Sequence, residues 1–97
     1  MATYVIGQIR VKDQQAWQNY AAQVGKVIEQ YGGTILFRGR SESVLSGDPD
    51  APDLVVAIRF DNAELAKRWH DSADYQALVP VREQGEDVHL VVYGQLN

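Results

Sequence analysis

Residues 69–82 contain most of the side chains in this chain that could take part in binding or catalysis. The segment supplies an indole, a hydroxyl, a phenol and a guanidinium, which belong to Trp69, Ser72, Tyr75 and Arg82. Aromatic rings form apolar walls, and a guanidinium holds a carboxylate or another anion through paired hydrogen bonds. This combination is typical of a pocket wall, but it does not define a reaction.

Arg82 has two interpretations at this level. Because it follows Pro80, which is expected to end a helical turn, its guanidinium should reach the sheet edge and clamp an anionic ligand. Alternatively, it forms a structural ion pair with an acidic neighbour such as Asp71 or Asp74. Trp69 is likewise either a core residue or part of a pocket wall.

The other polar candidates also have structural alternatives. Ser72 is best placed to cap the helical turn that contains Tyr75, because no nucleophile elbow surrounds it. Tyr75 either donates its hydroxyl inside a pocket or is a half-buried ring with a hydrated tip. His89 is the better candidate for proton transfer, with a hydrogen-bonded interface histidine as the alternative. His70 and His89 show no metal-ligand spacing, so neither a metal nor a cofactor is expected.

Length and charge limit the classes of function. The chain has 97 residues and no cysteine, which predicts one domain over residues 1–97 without disulfides or thiolate chemistry. Its net charge is −4 and its nine basic residues are scattered, so no nucleic-acid partner is expected. No segment reads as a signal peptide or a membrane span, and a cytoplasmic location is the expectation.

Alternating apolar residues predict four strands. They cover residues 3–11, 34–40, 54–60 and 87–93, and the second strand either ends near residue 40 or continues through residues 44–45. A first helix begins after Asp13, whose carboxylate can cap it, and ends at Gly32-Gly33. The proline- and glycine-rich residues 46–52 are expected to form a turn.

A second helix follows the third strand. Asp61 and Glu64 have the spacing of a capping box and open this helix, which runs through about His70. Residues 74–79 are expected to form a further helical turn, broken at Pro80. The order is therefore βαββαβ, which predicts a ferredoxin-like α+β fold: a four-stranded antiparallel sheet with both helices on one face.

Strand alternation sorts the side chains between the two faces of this sheet. One face is purely apolar and should contact the helices. The open face combines apolar and polar residues: Val55, Ala57, Arg59, His89, Val91 and Tyr93, by the same alternation Leu36 and Arg38, and either Tyr4, Ile6 and Gln8 or their neighbours. Burying such a face favours association, so a homodimer with facing sheets is expected. The alternative is a monomer with an apolar outer face.

The run Trp69-x-x-Ser72-x-x-Tyr75-Gln76-x-Leu78-x-Pro80-Val81-Arg82 resembles the family called domain of unknown function 1330, in the dimeric α+β barrel superfamily. Further matching positions are Tyr31-Gly32-Gly33, Arg38-Gly39, Leu45-Ser46-Gly47-Asp48 and the region from Ile58-Arg59-Phe60 to Ala66. The resemblance implies a ferredoxin-like protomer and a face-to-face dimer, with no settled activity. Ser46 and Arg59 replace acidic residues of the family pattern, and His70 and Ala73 also depart from it.

Three functions are compatible with these residues. The first is a binding module for a small organic ligand, anionic or aromatic, in a pocket between sheet and helices; its candidate residues are Arg38, Trp69, Ser72, Tyr75, Arg82 and His89. The second is a cofactor-independent enzyme, monooxygenase- or isomerase-like, with His89 or Tyr75 as acid or base. The third is a purely structural dimer or a subunit of a larger complex.

Overall fold

A computed structural model describes residues 2–96 of the protein. Its elements in chain order are β1 (Thr3–Val11), α1 (Gln14–Gln30), β2 (Thr34–Arg40), β3 (Leu54–Phe60), α2 (Ala63–Asp71), α3 (Ala73–Gly85) and β4 (Glu86–Gly94). The strands form one antiparallel sheet in the order β2-β3-β1-β4. This confirms the predicted ferredoxin-like α+β architecture, with three helices in place of two.

The first helix has the predicted ends. The Asp13 carboxylate accepts a hydrogen bond from the Ala16 amide at 3.0 Å, which satisfies one of the free donors of the first turn. At the other end, Gly32 has φ 79°, a left-handed conformation that glycine adopts without steric cost. Val24 and Ile28 on the inner side of α1 are buried in the core.

Two predicted helix boundaries are wrong, and the alternative in which the second strand continues past residue 40 is not observed. β2 ends at Arg40 and does not extend through residues 44–45. The cap of α2 is Asn62, whose side chain accepts from the Leu65 amide, while Asp61 pairs with Arg59. Pro80 does not end α3, which continues to Gly85. A proline removes one amide donor from a helix, but contacts made by both turns around it can outweigh that loss.

A β-bulge changes which face of the sheet Arg38 occupies. The register of β2 against β3 shifts between Ile35 and Phe37, so Phe37 lies opposite Ala57 and Arg38 lies opposite Val56. Opposed residues in a sheet project to the same side. Arg38 therefore belongs to the helix-facing side, and its predicted place on the open face is wrong. One extra residue reverses the alternation that follows it.

The register of the central strand completes the open face. In pairs across β1, Tyr4, Ile6 and Gln8 lie opposite Arg59, Ala57 and Val55 of β3 and opposite Tyr93, Val91 and His89 of β4. These residues, together with Phe37, are called the open face below. Phe37 is 55% exposed and Tyr93 52% exposed, so this side of the sheet remains partly uncovered.

The helices pack on the opposite side of the sheet around one hydrophobic core. Its largest fully buried side chains are Trp69, Tyr75, Phe60 and Ile28. Trp69 links the helices to the sheet, because the centroid of its ring lies 5.6 Å from that of Phe60 and 4.6 Å from that of Tyr75.

None of the helices within residues 2–96 has the length and apolar character that a membrane span requires.

The end of α3 contacts the start of α1 at Gly85. The Gly85 carbonyl accepts hydrogen bonds from the amides of Lys12 and Asp13, at 2.8 and 3.2 Å. A β-carbon on Gly85 would come within 2.5 Å of the Trp17 amide nitrogen. This close approach fixes where α3 ends and therefore where the first residue of β4, Glu86, is placed.

Candidate functional site

A cavity of about 240 Å³ lies between the helix-facing side of the sheet and helix α1. Most of its wall is aliphatic, with Val24 and Ile28 from α1 and Val56, Val88 and Leu90 from the strands. The polar or amphipathic side chains that line it are Trp17, Tyr20, Arg38, Arg40, Trp69 and Glu86. An apolar cavity with a few polar groups is the usual form of a small-molecule site, although such sites more commonly enclose about 300–1,000 Å³.

A chain of hydrogen bonds runs from α3 to the cavity. The Arg82 guanidinium donates through Nη1 to the Tyr75 hydroxyl at 2.8 Å, and that hydroxyl lies 3.0 Å from the hydroxyl of Tyr20. The Tyr75 and Tyr20 rings meet edge to face, with centroids 6.5 Å apart. Tyr75 is fully buried and does not line the cavity, whereas Tyr20 does. Two hydroxyl groups, those of Tyr75 and Tyr20, therefore connect the Arg82 guanidinium to the cavity by hydrogen bonds.

Burial determines which of the two tyrosine hydroxyls donates its proton to the other. Tyr75 already accepts from Arg82, so its own proton must go to Tyr20 or remain unpaired in the core. An unpaired buried donor costs about 1–3 kcal/mol, which favours donation from Tyr75 to Tyr20. The Tyr20 hydroxyl then keeps its proton available for an acceptor in the cavity. Burial also raises the pKa of Tyr20, with a further increase from Tyr75, so this phenol stays protonated.

Glu86 places a carboxyl group in the cavity wall. It is the first residue of β4 and is 3% exposed. Its Oε1 accepts no hydrogen bond from residues 2–96. Burial raises the pKa of Glu86 to about 7, although the positive charge of Arg82 opposes this effect. A carboxyl group with such a pKa exchanges its proton at neutral pH.

Two further buried nitrogens lack a partner among the described residues. They are the indole Nε1 of Trp69 and the guanidinium Nε of Arg82. Buried polar atoms are normally satisfied by protein or water, and exceptions concentrate at functional positions. Trp69 and Glu86 both line the cavity, so two of the three unsatisfied groups belong to its wall.

Ser72 has the capping role that the sequence analysis expects. Its hydroxyl accepts from the Tyr75 amide at 3.1 Å and donates to the Trp69 carbonyl at 2.7 Å. The residue thus ends α2 and begins α3. This junction sets the relative position of Trp69 and Tyr75.

The structure divides the candidate residues among three places. Arg38 and Trp69 line the cavity, while Tyr75 and Arg82 lie behind Tyr20 in the hydrogen-bond chain. His89 lies on the open face, as predicted, opposite Gln8 and away from the cavity. The ion pairs found within residues 2–96 do not include one between Arg82 and Asp71 or Asp74.

Sequence reasoning missed Tyr20 and Glu86 as members of the site. Tyr20 lies on the apolar stripe of α1, where its ring is explained by core packing alone. Glu86 precedes the last predicted strand in a charged segment that reads as solvated. In the structure it pairs with Val11 at the end of β1, and this pairing brings its side chain to the cavity.

The fold and cavity define a ferredoxin-like α+β protein with a partly open cavity between sheet and helices. The chain belongs to the family described as domain of unknown function 1330, whose model matches residues 2–95. This confirms the resemblance drawn from the residues around Trp69 and Arg82. A search of functionally curated proteins found no match to the sequence.

Solved structures share the fold at low sequence identity. A protein of unknown function from Rhodopseudomonas palustris has a TM-score of 0.84 and 19% identity, covering 99% of this chain and 83% of that chain. SnoaB, a cofactor-independent oxygenase from Streptomyces nogalater, has a TM-score of 0.69 and 8% identity, covering 99% and 94%. A dimeric ferredoxin-like protein of unknown function from Thermobifida fusca has a TM-score of 0.55 and 15% identity, covering 98% and 92%.

Proposed function

We propose that this protein binds a small organic ligand in the cavity between its sheet and α1. The main support for the proposal is that Tyr20, Trp69 and Glu86 all line a cavity whose wall is mostly aliphatic. Burial of such polar groups is unfavourable without partners, and a ligand with matching donors and acceptors would satisfy them. The volume of about 240 Å³ suits a compact aromatic molecule.

The charges around the cavity refine the ligand class. Arg38 and Arg40 line the cavity from β2, and both residues are exposed. Their guanidinium groups attract a carboxylate or phenolate oxygen near solvent, although the protein as a whole carries a net charge of −4. The favoured ligand therefore has an aromatic body and an oxygen-bearing polar end.

A thermal-shift experiment with matched variants tests this proposal. The probes are benzoate, 4-hydroxybenzoate, 2-naphthol and 1-indanone, which differ in charge and in hydrogen-bonding groups. Ala21 lines the cavity, whereas Ala22 is exposed on the same helix. We expect at least one probe to raise the melting temperature of the wild type and of Ala22→Leu, because a ligand that binds the folded state stabilises it.

Ala21→Leu adds three carbon atoms to the cavity wall and should remove that ligand-induced shift. Its own melting temperature reports separately whether the substitution disturbs folding. Two results would contradict the binding proposal: no probe stabilises the wild type, or Ala21→Leu responds to the probe as strongly as Ala22→Leu does.

We further propose that the protein is a homodimer formed through the open face. Phe37 and Tyr93 leave a large aromatic surface exposed there. Burial of apolar surface contributes about 25 cal/mol per Å², which drives association. The Thermobifida fusca neighbour, described as dimeric, supports this assembly. Light scattering after size exclusion should give twice the chain mass.

The interface is tested with one matched pair of substitutions. Phe37→Glu places a charge on the open face at a position that is already exposed in one chain, so the protomer should remain folded. Ala22→Glu places the same charge on α1, in the helical layer on the other side of the sheet. We expect monomers for Phe37→Glu and dimers for Ala22→Glu. A wild-type monomer at micromolar concentration would exclude the assembly.

A cofactor-independent enzyme is the second candidate function. Glu86 supports it, because a carboxyl group with a pKa of about 7 is suited to acid–base catalysis at neutral pH. His89 and Tyr75, the acid–base candidates from sequence, do not line the cavity. Turnover of a bound probe would favour this function. A dimer that binds none of the probes would favour the third, purely structural role.

A further inference from the structure

The hydrogen-bond chain gives the cavity a directed proton donor. Arg82 donates to Tyr75, and Tyr75 lies 3.0 Å from Tyr20, so the guanidinium polarises both hydroxyl groups toward the cavity. A hydroxyl at the end of such a chain is suited to an oxygen atom that carries negative charge. Of the three residues in this hydrogen-bond chain, Tyr20 lines the cavity, so its hydroxyl is the donor.

Glu86 supplies the complementary group in the same cavity. Its carboxyl is almost fully buried, and its Oε1 accepts no hydrogen bond from residues 2–96. The surrounding wall includes Val88 and Leu90 on the same strand, which leave the carboxylate poorly solvated. A poorly solvated carboxylate is a stronger base than one in water. One cavity therefore contains both a base and a hydrogen-bond donor.

We propose that Glu86 removes and returns a proton at the carbon next to a carbonyl group of the bound ligand, while the Tyr20 hydroxyl donates a hydrogen bond to the carbonyl oxygen. The proposal rests on the proposed binding function and specifies its ligand class as compact aromatic ketones and related enolisable carbonyl compounds. Glu86 is the base, and Tyr20 holds the carbonyl oxygen.

The proton and electrons balance without another reactant. The Glu86 carboxylate takes the proton from the carbon, and the electron pair of that C–H bond forms a carbon–carbon double bond. The carbonyl π electrons move to the oxygen, where the Tyr20 hydroxyl stabilises the enolate. Return of a proton from Glu86 to the carbon restores the ketone. In deuterated water the returned atom is deuterium, because the carboxyl proton exchanges with solvent.

Burial raises the pKa of Glu86, and the positive charge of Arg82 opposes this effect. Charged and titratable side chains also occur in the cavity wall and in the hydrogen-bond chain behind it. They are Tyr20 from α1, Tyr75 and Arg82 from α3, and Arg38 and Arg40 from β2. Burial raises the pKa of Tyr20, so this phenol stays protonated. Glu86 is then the group that titrates near neutrality, with a pKa of about 7, so exchange should rise with pH and level off above this value.

Deuterium incorporation into 1-indanone, followed by proton NMR in deuterated buffer, tests the pair. The compared proteins are the wild type, Glu86→Gln, Tyr20→Phe and the control Glu83→Gln, an exposed residue of α3. Loss of a general base typically reduces a rate by about 10²–10⁴-fold, so we expect at least a hundredfold loss in Glu86→Gln. Tyr20→Phe should lose about tenfold or more, and Glu83→Gln should match the wild type.

Binding of 1-indanone, measured on the same samples by saturation-transfer NMR, separates the possible failures. Binding by the wild type without exchange above the buffer rate would overturn the acid–base proposal and leave the binding function intact. Full exchange in a folded Glu86→Gln variant would also overturn it. If benzoate or 2-naphthol binds but 1-indanone does not, the ligand class is wrong. If no probe binds, the binding function fails as well.

Discussion

The Tyr75 hydroxyl and the Arg82 guanidinium are joined by a 2.8 Å hydrogen bond along one face of α3, about two helical turns apart. The guanidinium carbon also lies 5.9 Å from the centre of the Tyr75 ring. This geometry requires α3 to continue through Pro80. The proline therefore does not separate these residues, and its helix brings a permanent cation to a fully buried phenol.

Tyr75→Phe should destabilise the protein, because it removes the hydroxyl that partners both Arg82 and Tyr20. We expect a loss of about 1–3 kcal/mol in the free energy of unfolding, measured by urea denaturation. Tyr31→Phe is the matched control, because Tyr31 packs against the same core while its hydroxyl forms no side-chain hydrogen bond within residues 2–96. Equal losses in the two variants would show that the hydrogen-bond chain contributes no stability.

Alanine substitutions at two glycines should change the free energy of unfolding in opposite directions. A β-carbon at Gly85 would come within 2.8 Å of the Ala16 carbonyl carbon, and backbone cannot move aside cheaply. Gly85→Ala should therefore cost about 1–3 kcal/mol of unfolding free energy. At Gly25, within α1, nothing lies within 4 Å, and Gly25→Ala should add about 0.5–1 kcal/mol. Thermal unfolding of both variants checks the signs. A stabilised Gly85→Ala protein would contradict the close contact.

The fold was predictable because local patterns and their tertiary environment agree. Asp13 and Gly32 mark the ends of α1 by their conformational preferences, and the alternation of β3 and β4 survives unchanged in the sheet. The prediction that Pro80 ends a helical turn is wrong, because the cost of proline in an isolated helix does not include the packing of the residues around it. The contacts of Tyr75, Leu78 and Gly85 extend across that position and hold both sides of α3.

The site was less predictable because its geometry depends on distant contacts. Arg38 lines the cavity because a β-bulge shifts the register of β2, and no residue type in β2 predicts that shift. Glu86 reaches it through pairing with Val11 at the far end of β1. The residue types of Trp69 and Tyr75 make them candidates, but the hydrogen-bond chain that links Arg82 to Tyr20 through Tyr75 depends on tertiary contacts.

Ser72→Ala should separate stability from ligand binding. The substitution removes the oxygen that accepts from the Tyr75 amide, and loss of such a cap typically costs about 1 kcal/mol. Ser72 does not line the cavity, so the affinity for any bound probe should change less than twofold under conditions in which the variant is folded. Denaturant unfolding and probe titration provide the two measurements. A large loss of affinity in a fully folded variant would assign Ser72 a direct role in the site.

Glu86→Gln should change how stability depends on pH. Burial raises the pKa of Glu86 from 4.5 in an exposed carboxyl to about 7 in the folded protein, so the folded state binds more protons than the unfolded state between these values. The contribution of Glu86 to the free energy of unfolding is therefore fully present below pH 4.5 and is lost as pH rises to about 7. A pKa difference of this size corresponds to about 1–3 kcal/mol.

Glutamine has no proton to lose in this range, so the wild type should lose about 1–3 kcal/mol relative to Glu86→Gln between pH 4.5 and 8. Urea unfolding of both proteins at half-unit pH intervals measures the difference directly. Other titrating groups are common to the two proteins and cancel in the comparison. Glu83→Gln, which removes an exposed carboxyl from α3, should follow the wild-type curve. Parallel curves for the wild type and Glu86→Gln would mean that the buried carboxyl is ionised throughout, and this would remove the neutral-pH base from the cavity.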